Sequence, residues 1–164
     1  MSTFNNDHYN KLVEFIKIHQ DDFYRLAYSY VHNRDSALDI VQESIYKSLT
    51  SIDKLKNINK IKAWMFSIII NTSISFLRKN KRLIITNNIP EAVQYQNIDI
   101  ADKMDLHQAI ERLDMKYKTV IILRYFQGLK INEIADITGV NVNTVKSRLY
   151  SGINRLKVIL NKRG

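Results

Sequence analysis

Cysteine is absent from the 164 residues, proline occurs once, at position 90, and glycine only four times. Without cysteine there is no disulfide framework, no thiolate zinc site and no cysteine nucleophile. The four histidines, His8, His19, His32 and His107, are too scattered to form a helix-spaced pair of metal ligands, so neither a metal nor a cofactor is expected. Long apolar runs are missing as well. The longest, over residues 63–70, is broken by Ser67 and falls far short of the ~20 residues that a membrane span requires. Residues 2–10 are polar, unlike a secretory leader, and a cytoplasmic location is the expectation. Few breakers, and no Asn-Gly or Asp-Gly hairpin signal, point to an all-helical chain.

Acidic residues are the scarcer charged class, 16 Asp and Glu against 25 Lys and Arg. The net charge of +9 favours an anionic polymer or membrane face over a small neutral substrate. The acids are unevenly placed. None occurs over residues 54–90 and none after Asp136, whereas Lys146, Arg148, Arg155, Lys157, Lys162 and Arg163 accumulate at the C-terminal end. Two separated acid-free stretches suggest two contact areas for phosphates.

Apolar residues recur at helical spacing through Leu12, Phe15, Ile16, His19, Phe23, Leu26, Ala27 and Tyr30, and again through Leu38, Val41, Ile45, Leu49 and Ile52. Asp35 or Ser36 is placed to cap the second run, with Asp39 in its first turn facing the helix dipole. A third helix is expected from about residue 60 to 82, and at least three more between 102 and 160. Residues 83–100 differ in kind, being rich in Asn and Gln, holding the only proline and lacking both Lys and Arg. The pattern predicts an all-α chain of two small helical domains, 1–82 and 101–164, joined by a polar linker over 83–100.

The second domain carries a helix-turn-helix signature. Ile131-Asn132-Glu133-Ile134-Ala135-Asp136-Ile137-Thr138-Gly139-Val140 followed by Asn141-Val142-Asn143-Thr144-Val145 reads as helix, tight turn, helix. Ala135 lets the helices approach, Gly139 supplies a positive φ, Asn141 caps the next helix, and Ile134, Val140, Val145 and Leu149 close the core. On a helical wheel Val145, Leu149, Gly152 and Leu156 point inward. Asn143, Ser147, Tyr150, Ser151 and Asn154 point outward, flanked by Lys146 and Arg148. Short polar side chains and an aromatic suit base edges, and the flanking cations suit phosphates.

In the first domain the helix around Trp64 is expected to be central, apolar along Ile61, Trp64, Met65, Ile68 and Thr72 and again, nearly opposite, along Phe66, Ile70, Ser73 and Leu77. A third line, Lys60, Ser67, Asn71, Ser75 and Arg78, is polar and positive, is bordered by Trp64, and is extended by Lys79, Lys81 and Arg82. Such a surface can hold a single strand by stacking on bases and pairing with phosphates. The helix before it has the opposite sign. Asp35, Asp39 and Glu43 follow one another at i, i+4 and i+8 with Gln42 beside them, an exposed ridge suited to a basic protein partner.

Together these segments resemble the sigma factors of the extracytoplasmic-function (ECF) type, within the sigma-70 family, and among them the sigma-V-like branch. Asp35-Ser36-Ala37-Leu38-Asp39-Ile40-Val41-Gln42-Glu43 is similar to the segment that docks on the clamp coiled coil of RNA polymerase. Ala63-Trp64-Met65 through Asn71 to Arg78-Lys79 is similar to the segment that opens and reads the minus-10 element. Leu129-Lys130-Ile131-Asn132-Glu133-Ile134-Ala135 with Thr144-Val145-Lys146-Ser147-Arg148-Leu149 looks like the minus-35 module. The resemblance implies that Asp35, Asp39, Gln42 and Glu43 bind the polymerase core, and that Lys60, Trp64, Ser67, Asn71, Arg78 and Lys79 meet minus-10 DNA. It further implies that the loop over 53–59 receives a flipped base, with Asn57 and Asn59 as hydrogen-bonding partners. Asn143, Thr144, Lys146, Ser147, Arg148, Tyr150 and Ser151 would meet minus-35 DNA. Two departures stand out: Asp114 where the family usually has proline after Leu113, and Ser151-Gly152 in place of Arg-Ala.

The function so implied is that of a non-catalytic subunit directing core RNA polymerase to specific promoters. A cognate anti-sigma factor, often membrane-bound, would be a second partner. No phosphate-binding glycine loop, metal-ligand cluster or nucleophile with a base occurs in the sequence, so no enzyme activity and no small-molecule substrate are expected. A stand-alone helix-turn-helix regulator is the rival, but it leaves the acidic ridge unexplained and usually needs dimerisation, since one helix reads few base pairs. An RNA-binding protein is disfavoured by the lack of a sheet-borne aromatic motif.

Overall fold

In the computed structural model, which describes residues 3–86 and 105–162, every regular element among those residues is helical. Helix α1 (Thr3–Val31) buries Leu12, Ile16, Phe23, Leu26, Ala27 and Tyr30, with Phe15 and His19 half-buried, which is the stripe that the spacing predicts. His32 ends it in the left-handed region, at φ 51°, its N–H donating to the Tyr28 carbonyl at 2.8 Å. The chain thereby turns at once into α2 (Arg34–Thr50). The cap of α2 is Asn33, in extended conformation, its side-chain oxygen accepting the Ser36 N–H at 2.9 Å. Neither Asp35 nor Ser36 caps. Asp35 instead sits in the first turn, where its charge faces the positive end of the helix.

The buried face of α2 is Ala37, Ile40, Val41, Ser44 and Ser48, not the run through Leu38, Ile45 and Leu49. Leu38 is exposed, and Ile45 and Leu49 are half-buried. Helix α1 packs on this face, and small residues there let the two backbones close while the longer side chains stay on the rim. Ser48 satisfies its hydroxyl by donating to the Ile45 carbonyl at 2.7 Å. Two single 3-10 turns, Ile52–Lys54 and Ile58–Lys60, then lead into α3, pinned by buried Ile52 and Leu55.

Helix α3 (Ile61–Thr86) buries Met65, Phe66, Ile69, Ile70, Thr72 and Ser73. These residues form one continuous face of roughly 160° at 100° per residue, so the expected pair of opposite apolar stripes is corrected to a single broad one. Phe66 meets Phe23 of α1 edge-on, with ring centroids 5.9 Å apart. Ile61, Trp64 and Ile68, on the rim, are only half-buried, as is Leu77, which lies within the arc but a turn beyond its last buried residue. The helix also continues beyond residue 82, so residues 83–86 of the expected linker are helical; residues 87–100 of it lie outside the described residues.

Four more helices follow among the described residues. Asp105 and Gln108 form a capping box that opens α4 (Leu106–Glu111), each side chain accepting the other's backbone N–H. Helix α5 (Met115–Ile121) starts after Asp114, which offers no side-chain cap, and winds into a π-type turn over Ile122–Phe126. Arg124 donates to the Leu129 carbonyl at 2.9 Å and ties that turn to the segment before α6 (Ile131–Thr138). Gly139, at φ 73°, ends α6 and permits the turn into α7 (Val142–Asn161). Helices α4 and α5 both pack on α7. Ile134, Ala135, Val145 and Leu149 are buried as expected, while Val140 is half-buried. The chain divides into two compact units, Met1–Leu77 with Asp136–Gly139 and Arg78–Ala135 with Val140–Gly164, so that α1, α2 and most of α3 fall in the first and α4, α5 and α7 in the second. Among the described residues, no helix is long and apolar enough to cross a membrane.

Candidate functional site

Three helical surfaces gather the residues singled out by the sequence. The first is on α2. Asp35, Asp39, Gln42 and Glu43 are all exposed, on the side opposite the Ala37–Ser44–Ser48 contact with α1. Leu38, 41% exposed, and Tyr46, 70% exposed, share that side, so the ridge is an acidic surface with apolar side chains within it. Sequence reasoning took Leu38 for core and did not single out Tyr46. The signal was the offset row of small residues at 37, 44 and 48. Lys47 lies 3.1 Å from Glu43 and donates to Thr72 Oγ1 of α3 at 3.3 Å, so the C-terminal end of the ridge is partly neutralised and tied to the next helix.

The second surface is on α3. Asn71, Ser75, Arg78, Lys79, Lys81 and Arg82 are exposed. Trp64 and Ser67 are half-buried on the same side, away from the face that carries Met65 and Ile69. Ser67 donates to the Trp64 carbonyl at 2.7 Å. Trp64 is therefore a rim residue with part of its indole accessible, not a core one. Lys60, exposed, closes the 3-10 turn that leads into the helix. Asn57 and Asn59 are both exposed and are not equivalent: the Asn57 side-chain oxygen accepts the Asn59 N–H at 3.0 Å and shapes the turn, which leaves the Asn57 amide N–H groups and the whole Asn59 side chain to meet other groups.

The third surface is the N-terminal half of α7. Asn141 caps it, accepting the Thr144 N–H at 2.8 Å, and the first turn has no acidic residue, so the positive end of the helix is not offset by a carboxylate there. Val145, Leu149, Gly152 and Leu156 are the buried seam, as the wheel predicts. Asn143, Lys146, Ser147 and Tyr150, the last 72% exposed, project outward, while Thr144 and Arg148 are half-buried beside them. Ser151 departs from the expectation. It is half-buried and, with Asn154, Arg155, Val158 and Ile159, lines a groove of about 510 Å³ whose other wall is Arg112, Leu113 and Asp114. Its wall comes from the α4–α5 junction, a segment distant in sequence, so no helical wheel of α7 reveals it.

Two titrating groups bear on these units. On α1 a 3.0 Å hydrogen bond with the His19 ring, opposed by partial burial and reinforced by Arg25, holds the Asp22 carboxyl below its ordinary value. On α5 burial pushes the Lys118 ammonium down, against the opposing pull of the Glu111 carboxylate.

An all-α chain with an acidic helix face, a cationic helix carrying a half-buried tryptophan and a capped polar helix after a tight turn matches two family models in order: Sigma-70 region 2 over residues 15–83 and Sigma-70, region 4 over residues 103–156. The chain belongs to the sigma-70 family, as an ECF-type RNA polymerase sigma factor, a non-enzymatic protein that directs transcription initiation. It is similar to the RNA polymerase sigma factor SigV of Bacillus subtilis (strain 168), with 47% identity over 152 residues that cover 92% of each chain. Among solved structures its fold is similar to CnrH in complex with the cytosolic domain of CnrY, at a TM-score of 0.69 and 18% identity, covering 93% of this chain and 89% of that one. It is also similar to the sigma factor RpoE in complex with the anti-sigma factor NepR from Bartonella quintana, at 0.65 and 24%, covering 90% of this chain and 94% of that one.

Proposed function

We propose that the three surfaces divide the work of promoter recognition. The acidic face of α2, through Asp35, Asp39, Gln42 and Glu43, docks on a basic part of the polymerase core. The polar side of α3, with Asn57, Asn59 and Lys60 at its start and Trp64, Ser67, Asn71, Arg78 and Lys79 along it, holds the unpaired minus-10 strand. Helices α6 and α7 act as a helix-turn-helix that places Asn143, Thr144, Lys146, Ser147, Arg148 and Tyr150 at the minus-35 duplex. Ser151 is the least direct member of this set because of its place in the groove. The domains taking these parts are 1–82 and 101–164, joined by the linker over 83–100, whose first four residues continue α3.

The observation that carries this reading is the separation of sign between exposed helices of one small chain. Three carboxylates in a row on α2 would repel DNA, whereas α3 carries no acid and α7 none either. A cognate anti-sigma factor is the second partner, by analogy with RpoE, which was solved bound to one. We place the protein in the cytoplasm, with its inhibitor at the membrane when that inhibitor is membrane-bound.

Run-off transcription with reconstituted core polymerase tests the whole reading, alongside equilibrium binding of promoter duplex with and without core at fixed salt. Tight, sequence-specific binding is expected only with core, since the minus-10 bases must first be unstacked at a cost of a few kcal/mol. Nanomolar specific binding by the isolated monomer would overturn this division of work in favour of a self-sufficient DNA reader.

A further inference from the structure

Helix α7 crosses α5 at a glycine, where only the side chains of α5 lie between the two backbones. Gly152 lies in the buried seam of α7 between Leu149 and Leu156. A methyl group on its Cα would stand 2.8 Å from Ile121 Cδ1 and 3.3 Å from Tyr117 Cβ. Something must shift to admit it, either the end of the Ile121 side chain or the helix itself. Ile121 is 2% exposed, beside Val120 and Leu123 that are wholly buried, and Tyr117 Cβ is fixed to the backbone of α5. One turn further along α7 the Arg155 guanidinium stands 4.7 Å from the centre of the Tyr117 ring, so α7 meets the same α5 residue from a second side.

We propose that Gly152 is a positioning residue that sets the depth at which α7 seats on α5, and through that depth the base preference of the outward face of α7. This rests on α7 being the helix that reads duplex DNA. The link from seam to face is mechanical. A close-packed interior does not absorb an added methyl without a shift of backbone or rotamer, and a helix moves as a stiff unit. At 1.5 Å per residue, Asn143 lies about 13 Å along the axis from Gly152 and Tyr150 about 3 Å. A tilt about the Gly152 contact therefore carries Asn143 several times farther than Tyr150. The base pair met by Asn143 is the one whose readout Gly152 controls.

The test uses the full chain reconstituted with core polymerase and a panel of minus-35 duplexes, each substituted at one base pair. Four variants are compared: G152A, I121V, I121V/G152A and N143A. The paired variant matters because Ile121→Val deletes Cδ1, the atom that the new methyl meets at 2.8 Å. We expect G152A to change the relative preference at the Asn143 base pair by at least about threefold, a fraction of what a good base contact discriminates, with binding to random duplex nearly unchanged. The paired variant is expected to restore the wild-type order. An unchanged order in G152A, an equal loss on every duplex, or no restoration in the pair would each overturn the inference. Should G152A melt below the assay temperature, I121V alone decides: a changed order supports the stop between α5 and α7, and an unchanged order overturns it. If N143A leaves the order intact, α7 is not the reading helix, and the inference falls together with that reading; if N143A alters the order and the Gly152 arms do not, Gly152 alone is misassigned.

Discussion

Helices α2 and α7 share one construction and differ in sign. Each begins at an asparagine that accepts an N–H three residues on, Asn33 from Ser36 at 2.9 Å and Asn141 from Thr144 at 2.8 Å. Each has a buried seam with small residues, Ala37, Ser44 and Ser48 in one and Gly152 in the other. Their outward faces then diverge. Helix α2 puts Asp35 in its first turn and continues with Asp39 and Glu43, whereas the first turn of α7 holds no acid and its flanks hold Lys146 and Arg148. Cap and seam are what folding requires of such a helix. The exposed face is left to the partner, so a protein with two partners of opposite charge can use one kind of helix twice.

The sharpest way to break this contrast is to give α2 the sign of α7. The double variant D39K/E43K is expected to lose core binding by about a hundredfold, since like charges brought together at an interface cost several kcal/mol. Core pull-down reads this out, and duplex binding by α7 should not change. Retained core affinity would remove the reason for reading the ridge as a docking face.

Smaller effects should separate the residues of α7 from one another. Asn143→Ala and Tyr150→Ala are each expected to alter base preference by ~1 to 3 kcal/mol at one position. Arg148→Ala should instead weaken all duplexes alike and flatten the salt dependence by about one ion. Titrations of matched and mismatched duplexes at several salt concentrations distinguish the two behaviours. If all three variants behaved alike, α7 would be a uniform cationic surface and the comparison with α2 would reduce to charge alone.

The shared caps predict shared losses. Asn33→Ala and Asn141→Ala should each lower the stability of their own unit by ~0.5 to 2 kcal/mol, visible as a lower melting temperature. The preference order of whatever duplexes still bind should stay the same.

The smallest expected effect is in pH, where the two units should respond in opposite windows. Asp22 titrates below its unfolded value of 3.8, so its contribution to the α1–α3 unit is present above that pH and is lost as the solution is acidified through the folded value. Lys118 titrates below its unfolded value of 10.5, so the unfolded chain holds its proton longer, and stability of the α4–α7 unit rises with pH up to that value. Asp22→Asn should flatten the acid limb and Lys118→Met the alkaline one, each followed by circular dichroism melts across pH. A variant that moved the limb of the other unit would show that the assignment of the two limbs is wrong.

The sequence made α7 legible because its seam is apolar with a 3.6-residue period, its turn needs a glycine and its cap needs a short polar side chain. Gly139, Asn141, Val145, Leu149, Gly152 and Leu156 all stand where those rules put them. Helix α2 was less legible for the same reason in reverse: its seam is Ala and Ser, which carry no hydrophobic signal, so Leu38 was drawn into a core it does not join. On α3 the apolar arc is broad, and periodicity alone does not separate its rim, Trp64 and Ile68, from its centre, Ile69. The polar line through Asn71, Ser75 and Arg78 was found because it lies opposite that arc. The place of Ser151 in the groove depends on a contact between segments far apart in sequence, which no local pattern encodes.

The uneven cover of α3 has a consequence for how it opens. Its 26 residues make a rod of about 39 Å. Only the portion from Met65 to Ser73 is sealed by neighbours, while residues 78–83 are exposed on every side. Amide hydrogens should accordingly exchange in a gradient, slowest under Phe66 and Ile69 and fastest beyond Arg78, where helicity is sustained by local hydrogen bonds alone. Phosphates that settle on Arg78, Lys79, Lys81 and Arg82 would slow that exchange by relieving the repulsion among four cations within five residues. The last turns of the helix would then be completed by the anions bound to them.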